Sequence, residues 1–311
     1  MKALTAFAAC CTFTLFSSPL LAADDASCKT VRLGAVGWTD VVATTAVASE
    51  LLQGLGYETK QTQASQQIIF AGIQKGQVDA FLGYWKPIMD DNIKPFLDTG
   101  AVKVADKPSL DDAVAVLAVP TYAAEQGIRT LADIARFKDQ LDGKIYGIEA
   151  GSGANTAIQK MIDSNQFGLG GFKLVESSEA GMLAAVGRAV RNEKPVVFFG
   201  WKPHPMNLQM PITYLTGTEE VFGPDDGAAT VSTVTAPDYA QRCPNANRLL
   251  TSLRFTSAQE AELMQPIMDR QPPAKVAREW IAANPQVVTA WLDGVTSRDG
   301  KPAAQALKLT P

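Results

Sequence analysis

The chain has 311 residues, with 28 Lys and Arg against 32 Asp and Glu, a formal net charge of −4. This mild acidity, together with the lack of any basic run that could follow a phosphate backbone, argues against a nucleic-acid partner. The length suits two domains, each large enough to bury its own core.

The first residues have the pattern of an export signal. Lys2 gives a basic start, Ala3 to Phe16 carries no charge, and Ala22 and Ala23 are small. The apolar run is too short to span a bilayer, so residues 1–23 are predicted to be a signal peptide, with an uncleaved anchor as the alternative. We therefore expect a periplasmic chain without direct membrane insertion, so that any membrane role comes through a partner. A monomer is the expected oligomeric state, although no sequence pattern specifies it.

Two cysteines remain after such processing. Cys10 and Cys11 lie within the predicted signal, whereas Cys28 and Cys243 lie beyond it. In an exported protein, two thiols favour one disulfide, and the alternative is a pair of unlinked buried thiols.

From Thr30 onward the apolar pattern alternates between strands and helices. Apolar runs bounded by glycine or by polar turns predict the strands, and helical spacing predicts the helices. Such alternation is typical of a mostly parallel sheet covered on both faces. The predicted elements are strand Val31–Val36, helix Val41–Leu55, strand Tyr57–Thr62, helix Gln66–Lys75 and strand Val78–Leu82.

A second unit of the same kind begins near Leu117. Its predicted elements are helix Thr130–Leu141, strand Lys144–Ile148, helix Thr156–Ile162, helix Glu179–Val190 and strand Val196–Phe199. The chain then returns to the first unit through helices at Gln259–Arg270 and Ala274–Leu292. This predicts an α/β fold of two lobes, the first made of residues 24–115 and 211–311 and the second of residues 116–210.

Three tryptophans follow predicted strands. Trp38 comes after the first strand, and the similar segments Phe81 to Pro87 and Phe198 to Pro203 place Trp85 and Trp201 just past two others. Ligands of open α/β sheets bind at the carboxyl ends of the strands, so facing lobes bring all three indoles to one cleft. Ordinary loop packing is the alternative for each of them.

An aromatic cleft favours a quaternary-ammonium ligand. Such a cation has no N–H to donate, and aromatic faces attract it instead. Asp40, if it faces the cleft, accepts a hydrogen bond from a hydroxyl and repels a carboxylate, which favours choline over zwitterionic glycine betaine. Asn155 can orient the same hydroxyl. The alternative for both residues is capping of a helix.

The other reactive residues do not form a recognisable centre. His204 is the single histidine, and no zinc-ligand spacing with the cysteines is evident. No G-x-S-x-G turn occurs either, so we predict no catalytic residue, no metal and no cofactor, and interpret His204 as support for the Trp201 loop. An exported choline-ester hydrolase is the alternative from another class, and a sensor subunit would need the same ligand trap.

The strand-end motifs resemble those of choline-binding and glycine-betaine-binding proteins of bacterial ABC importers. The resemblance rests on these segments: Gly37-Trp38-Thr39-Asp40, Gly83-Tyr84-Trp85, Gly151 to Asn155, and Gly200-Trp201-Lys202-Pro203-His204-Pro205-Met206-Asn207. It implies a two-lobed periplasmic-binding-protein fold of type II character that closes on its ligand and docks on a permease.

The same resemblance implies roles for individual residues. Trp38, Trp85 and Trp201 correspond to an aromatic box, and Asp40 and Asn155 to polar contacts with the ligand hydroxyl. It also implies the link between Cys28 and Cys243.

One departure affects the box. These relatives add a tyrosine wall where this chain has Ala113-Val114-Ala115-Val116. Tyr122 can take over that wall, or the box is three-sided. A roomier box would admit carnitine or acetylcholine.

Overall fold

The computed structural model describes residues 24–309, so the predicted signal peptide lies outside the described residues. The strands are β1 Thr30–Ala35, β2 Glu58–Gln63, β3 Ala80–Lys86, β4 Lys103–Val104, β5 Leu110–Pro120, β6 Lys144–Tyr146, β7 Lys173–Val175, β8 Val197–Lys202, β9 Ile212–Tyr214 and β10 Ala228–Thr235. The α-helices are α1 Thr39–Gly54, α2 Gln66–Gln74, α3 Asp90–Asp98, α4 Thr121–Glu125, α5 Leu131–Ile134, α6 Gly153–Asp163 and α7 Glu179–Arg191. They are followed by α8 Met206–Gln209, α9 Glu219–Phe222, α10 Pro224–Gly227, α11 Tyr239–Arg242, α12 Pro244–Ser252, α13 Ser257–Met268, α14 Pro273–Ala283, α15 Pro285–Trp291 and α16 Ala303–Ala306.

The sheet has two parallel halves joined by antiparallel strands. Its order is β2-β1-β3-β10-β5-β8-β6-β7, with β4 on β10 and β9 on β5. Strand β1 is parallel to β2 and β3, and β6 is parallel to β7 and β8. Strand β10 is antiparallel to β3 and β5, and β5 is antiparallel to β8. The α/β prediction is therefore confirmed. The division into a first lobe of residues 24–115 and 211–311 and a second lobe of residues 116–210 stays a prediction.

The central strands are buried on both faces. In β3 and in β8 every residue except the last, Lys86 or Lys202, is buried. Continuous apolar runs of this kind are typical of strands covered by helices on both sides. Helix α1 packs against α13 and α14 on one such face. The strands thus hold the residues at their carboxyl ends in a rigid frame.

Trp85 and Trp201 lie within strands and not, as predicted, just past the strand ends. Strand β3 continues through Trp85, which pairs with Val231 of β10, and β8 continues through Trp201, which pairs with Ala115 of β5. Each indole is therefore on the next-to-last strand residue. The Lys-Pro peptide bond that follows each strand, at Pro87 and Pro203, is cis.

Two predicted helices are wrong in extent. The segment Ala274–Leu292 is not one helix, since α14 ends at Ala283 and Pro285 opens α15 at its first turn. Proline has no N–H for a helix interior but fits the first helical position. The predicted helix Thr130–Leu141 is only α5 followed by a 3-10 turn at Ala135–Phe137, although Thr130 does cap it.

The predicted disulfide joins the start of the described chain to its later half. Cys28 and Cys243 are bonded, with their Cα atoms 5.7 Å apart, and both are buried. Both residues lie within the bounds of the first lobe.

None of the helices within residues 24–309 combines the length and apolar character needed to cross a bilayer. In the same span, no three or more His, Cys, Asp or Glu side chains are grouped to hold a metal ion.

Candidate functional site

A cavity between the lobes brings together the three tryptophans that the sequence singled out. Each of these indoles is at most 6% exposed. The first lobe contributes Trp38, Asp40, Trp85, Ile88, Met89 and Ala115, and the second contributes Ile148, Ser152, Gly153, Ala154, Phe199 and Trp201. The walls are therefore mostly aromatic and apolar.

Trp38 is held from the opposite lobe. It follows β1 and precedes the first helical residue of α1, with extended backbone angles of φ −83° and ψ 136°. Its indole N–H lies 3.0 and 3.1 Å from the two carboxylate oxygens of Glu149 in the second lobe. Burial raises the pKa of Glu149, while the hydrogen bond from Trp38 opposes that shift. The ring orientation of Trp38 thus depends on a contact between lobes.

Asp40 faces the cavity rather than capping α1. Trp38 occupies the cap position of that helix, and Asp40 lies in its first turn. The indole N–H of Trp85 donates to Asp40 Oδ2 at 2.9 Å. Within residues 24–309, Asp40 Oδ1 is buried without a hydrogen-bond partner.

The surroundings of Asp40 disfavour the charged form of its carboxyl group. Burial and the negative charge of Glu179 together raise the pKa of Asp40 to about 6, although the hydrogen bond from Trp85 opposes the shift. In the described part of the chain, no Lys or Arg lines the cavity. The site therefore holds a buried carboxylate without a matching cation of its own.

Phe199 is a wall that the sequence interpretation missed. It lies two residues before Trp201 on β8, so both side chains are on one face of the strand. Their ring centroids are 5.7 Å apart in a stacked arrangement. The alternation along Phe198-Phe199-Gly200-Trp201 is the signal from which Phe199 can be identified.

His204 supports Trp201, in agreement with its predicted role. The two ring centroids are 4.8 Å apart in an edge-on arrangement. The backbone N–H of Met206 donates to His204 Nδ1 at 3.0 Å. In the neutral ring this places the hydrogen on Nε2, which lies 3.2 Å from Glu179 Oε1.

Ser152, rather than Asn155, reaches the cavity from the start of α6. Ser152 Oγ caps this helix by accepting the Asn155 backbone N–H at 3.2 Å. The Asn155 side chain is used within its own lobe: it accepts from Ile148 N at 2.9 Å, and donates to Ile148 O at 3.0 Å and to Glu176 at 3.1 Å. Asn155 therefore holds the backbone at Ile148, two residues beyond β6, and is not itself among the lining residues.

Tyr122 does not lie in the cavity wall. Its hydroxyl donates to the Lys194 carbonyl oxygen at 2.8 Å, elsewhere in the second lobe. The stretch in which the resemblance would supply a tyrosine contributes Ala115 to the cavity instead. The small Ala115 side chain leaves space on that side.

This arrangement suits a cation that does not donate hydrogen bonds. Indole faces attract such a cation through their quadrupole, and one carboxylate offsets its charge. The free Asp40 oxygen and the Ser152 hydroxyl belong to lining residues and provide polar contacts. An anionic group would meet no positive side chain in the lining described here.

Similarity to known proteins agrees with this geometry. Residues 29–283 match the family described as the substrate binding domain of ABC-type glycine betaine transport system. Over 189 residues, 60% of this chain and 62% of the relative, the chain is 30% identical to the glycine betaine/carnitine transport binding protein GbuC of Listeria monocytogenes. It is also 42% identical over 130 residues to an uncharacterized protein ORF1 of Chromohalobacter salexigens, covering 41% and 82% of the two chains.

Solved structures show the same fold at higher coverage. An ABC-transporter choline binding protein in complex with choline is 44% identical, with a TM-score of 0.89 over 92% of this chain and 99% of that one. The lactococcal OpuAC complexed with glycine betaine is 25% identical, with a TM-score of 0.77 over 85% and 99% of the two chains.

The matched family consists of solute-binding components of transporters and not of enzymes, so the hydrolase alternative is unsupported. The family match spans well over half of the sequence and includes all of the cavity-lining residues. The chain therefore belongs to the family of substrate-binding domains of ABC-type glycine betaine transport systems.

Proposed function

We propose that this chain is the periplasmic receptor of an ABC importer that encloses choline and delivers it to the permease. The observation that carries the proposal is a cavity lined by Trp38, Trp85, Trp201 and Asp40, in which the buried Asp40 Oδ1 lacks a hydrogen-bond partner within residues 24–309. The 44% identity to a choline-binding protein solved with choline supports it.

The indoles of Trp38, Trp85 and Trp201 provide the affinity for the trimethylammonium group. Each aromatic face contributes about 0.5 to 2 kcal/mol, and more when water is excluded. The ceiling of about 1.5 kcal/mol per heavy atom limits a ligand of roughly 7 heavy atoms to about 10 kcal/mol. A dissociation constant on the order of 1 μM or somewhat lower is therefore the expected range.

The polar residues of the cavity select for a hydroxyl. Asp40 Oδ1 is a free acceptor, and the Ser152 hydroxyl lies among the same lining residues. A hydroxyl that donates to Asp40 satisfies this buried oxygen, whereas a carboxylate would be repelled by it. This difference separates choline from glycine betaine.

Ligand binding favours the closed arrangement of the lobes. Trp38 and Trp85 lie in the first lobe and Trp201 in the second, so a cation contacts all three only when the lobes are together. Closure is then a shift of population toward a form stabilised by the ligand, and the permease distinguishes that form from the open one.

Titration calorimetry of the purified chain with choline, acetylcholine, carnitine and glycine betaine tests the proposal. We expect choline to bind at least about tenfold more tightly than glycine betaine, a difference of about 1.4 kcal/mol. Tightest binding of acetylcholine would replace choline as the ligand while keeping the aromatic box, whereas tightest binding of carnitine, which carries a carboxylate, would contradict the role given to Asp40. Tightest binding of glycine betaine would contradict the role given to Asp40.

A further inference from the structure

A carboxylate of the second lobe contacts the first turn of a first-lobe helix beside the cavity. Glu179, the first residue of α7, accepts a hydrogen bond from the Thr39 backbone N–H at 2.9 Å through Oε2. The Thr39 hydroxyl donates to the other oxygen, Oε1. Thr39 lies between Trp38 and Asp40, two of the cavity residues.

Helix α1 obtains from Glu179 the cap that its own sequence lacks. Its cap position holds Trp38, whose side chain forms no capping hydrogen bond with the helix. The first amides of a helix have no partner inside the helix, so the Thr39 N–H needs an outside acceptor. A carboxylate at this end also interacts favourably with the helix dipole.

Glu179 is itself fixed by its own lobe. Ser178 caps α7 by accepting the Gly181 N–H at 3.1 Å, which sets the start of the helix. His204 Nε2 lies 3.2 Å from Glu179 Oε1, and the His204 ring packs against Trp201. The carboxylate that reaches Thr39 is therefore connected to the opposite wall of the cavity.

The same carboxylate brings a second negative charge near the ligand. Glu179 is 7% exposed, and its charge is close enough to Asp40 to raise the pKa of that group. Two buried like charges oppose closure of an empty cavity, whereas a cation enclosed between the lobes offsets both. Closure through Glu179 is consequently more favourable when a cation is present.

We propose that Glu179 is a positioning residue that caps α1 from the opposite lobe and makes closure depend on a cationic ligand. Through Thr39 it holds Trp38 and Asp40 against the ligand in the closed form, without needing to touch the ligand. The dependence on a cation rests on the proposed function, but the cap between the lobes does not.

Hydrogen exchange at the Thr39 amide tests the cap directly. In protein labelled with 15N-threonine, we expect this amide to exchange at least about tenfold faster in Glu179→Ala than in the wild type. Glu179→Gln keeps an acceptor oxygen and should retain part of the protection. Glu125→Ala removes an exposed acid of the same lobe, and its Thr39 amide should exchange at the wild-type rate. Equal rates in Glu179→Ala and the wild type would overturn the cap, whether or not choline binds.

Binding kinetics test the dependence on the cation. Because Glu179 acts after the ligand has entered, Glu179→Ala should raise the dissociation rate of choline about tenfold and change the association rate by less than about twofold. Glu179→Gln should lie between the two, since it loses the charge and keeps one acceptor. An unchanged dissociation rate of choline in Glu179→Ala would overturn the proposed dependence of closure on a cationic ligand.

The two measurements separate this inference from the proposed function. If the wild type binds none of choline, acetylcholine, carnitine and glycine betaine, the proposed function fails and the cation dependence fails with it. The Thr39 exchange rate still decides the cap in that case. Circular dichroism melting of each variant identifies any loss of folding, and Glu179→Gln serves as the second variant if Glu179→Ala does not fold.

Discussion

The indole N–H of Trp85 donates to Asp40 Oδ2 at 2.9 Å and leaves Asp40 Oδ1 buried without a partner in the described chain. The Trp85 side chain, part of the aromatic box, thus orients the Asp40 carboxylate, which completes the site. A buried acceptor without a partner costs roughly 1 to 3 kcal/mol. A ligand that brings a positive charge and a hydroxyl removes this cost, so the pair prepares the cavity for such a ligand.

Removing an indole should weaken choline binding without unfolding the protein. Trp85→Ala and Trp201→Ala should each raise the dissociation constant at least about tenfold, about 1.4 kcal/mol, because each loses one face over the cation. Trp201→Phe keeps an aromatic face and should lose less. Calorimetric titration measures the effect, and thermal melting is the control for folding. Wild-type affinity in Trp201→Ala would show that this ring does not face the ligand.

Choline binding should weaken as the pH falls through about 6. Burial and the charge of Glu179 raise the pKa of Asp40 to about 6. Above that pH the group is a carboxylate and attracts the cation, whereas below it a proton competes with the ligand. Choline should therefore bind best at neutral pH, and binding should release part of a proton near pH 6.

Two variants isolate the share of Asp40 in this pH profile. Asp40→Asn should lower choline affinity at pH 7 and flatten the fall near pH 6. Trp85→Phe removes the hydrogen bond that opposes the shift, so the fall should begin at a higher pH. Calorimetry between about pH 5 and pH 8 checks both, and an equally steep fall in Asp40→Asn would assign the titration to another group.

A methyl group at Gly153 should prevent closure. A Cβ atom built on Gly153 in the second lobe would lie 2.2 Å from the Ile88 carbonyl oxygen in the first. Gly153→Ala should therefore weaken choline binding more than about tenfold while leaving the melting temperature of the ligand-free protein nearly unchanged. Gly187→Ala is the matched control in the same lobe, because its nearest neighbour is the end of Arg191 at 3.5 Å. Equal affinities in both variants would contradict the close approach of the lobes.

The disulfide should contribute to stability and not to binding. Cys28 and Cys243 are 215 positions apart, so their bond restricts a long loop of the unfolded chain. The double variant Cys28→Ser, Cys243→Ser should lose roughly 3 to 5 kcal/mol in denaturant unfolding and keep its choline affinity within about twofold. A large loss of affinity at unchanged stability would indicate that the bond acts on the lobes.

The sequence was sufficient for the features that local patterns encode. Trp38, Trp85 and Trp201 stood out because each is next to an apolar strand, and the topology of parallel strands brings such positions to one edge. Pro285 carried a signal for the break between α14 and α15, since it follows Asn284 in a turn-forming pair.

Features that depend on contacts between lobes were not predictable in the same way. Glu149 and Glu179 are ordinary acids in the sequence, and their roles arise only when the second lobe lies against Trp38 and Thr39. The direction of the Asn155 side chain was also not predictable, because a polar side chain at a helix start can face either the ligand or its own backbone. A one-dimensional pattern does not distinguish these two directions.

A crystal structure of the protein with choline is the most direct test of the proposed site. We predict that the trimethylammonium nitrogen lies within about 6 Å of the ring centroids of Trp38, Trp85 and Trp201, with the hydroxyl donating to Asp40. An ammonium group bound outside these three rings, or indoles turned away from it, would contradict the account.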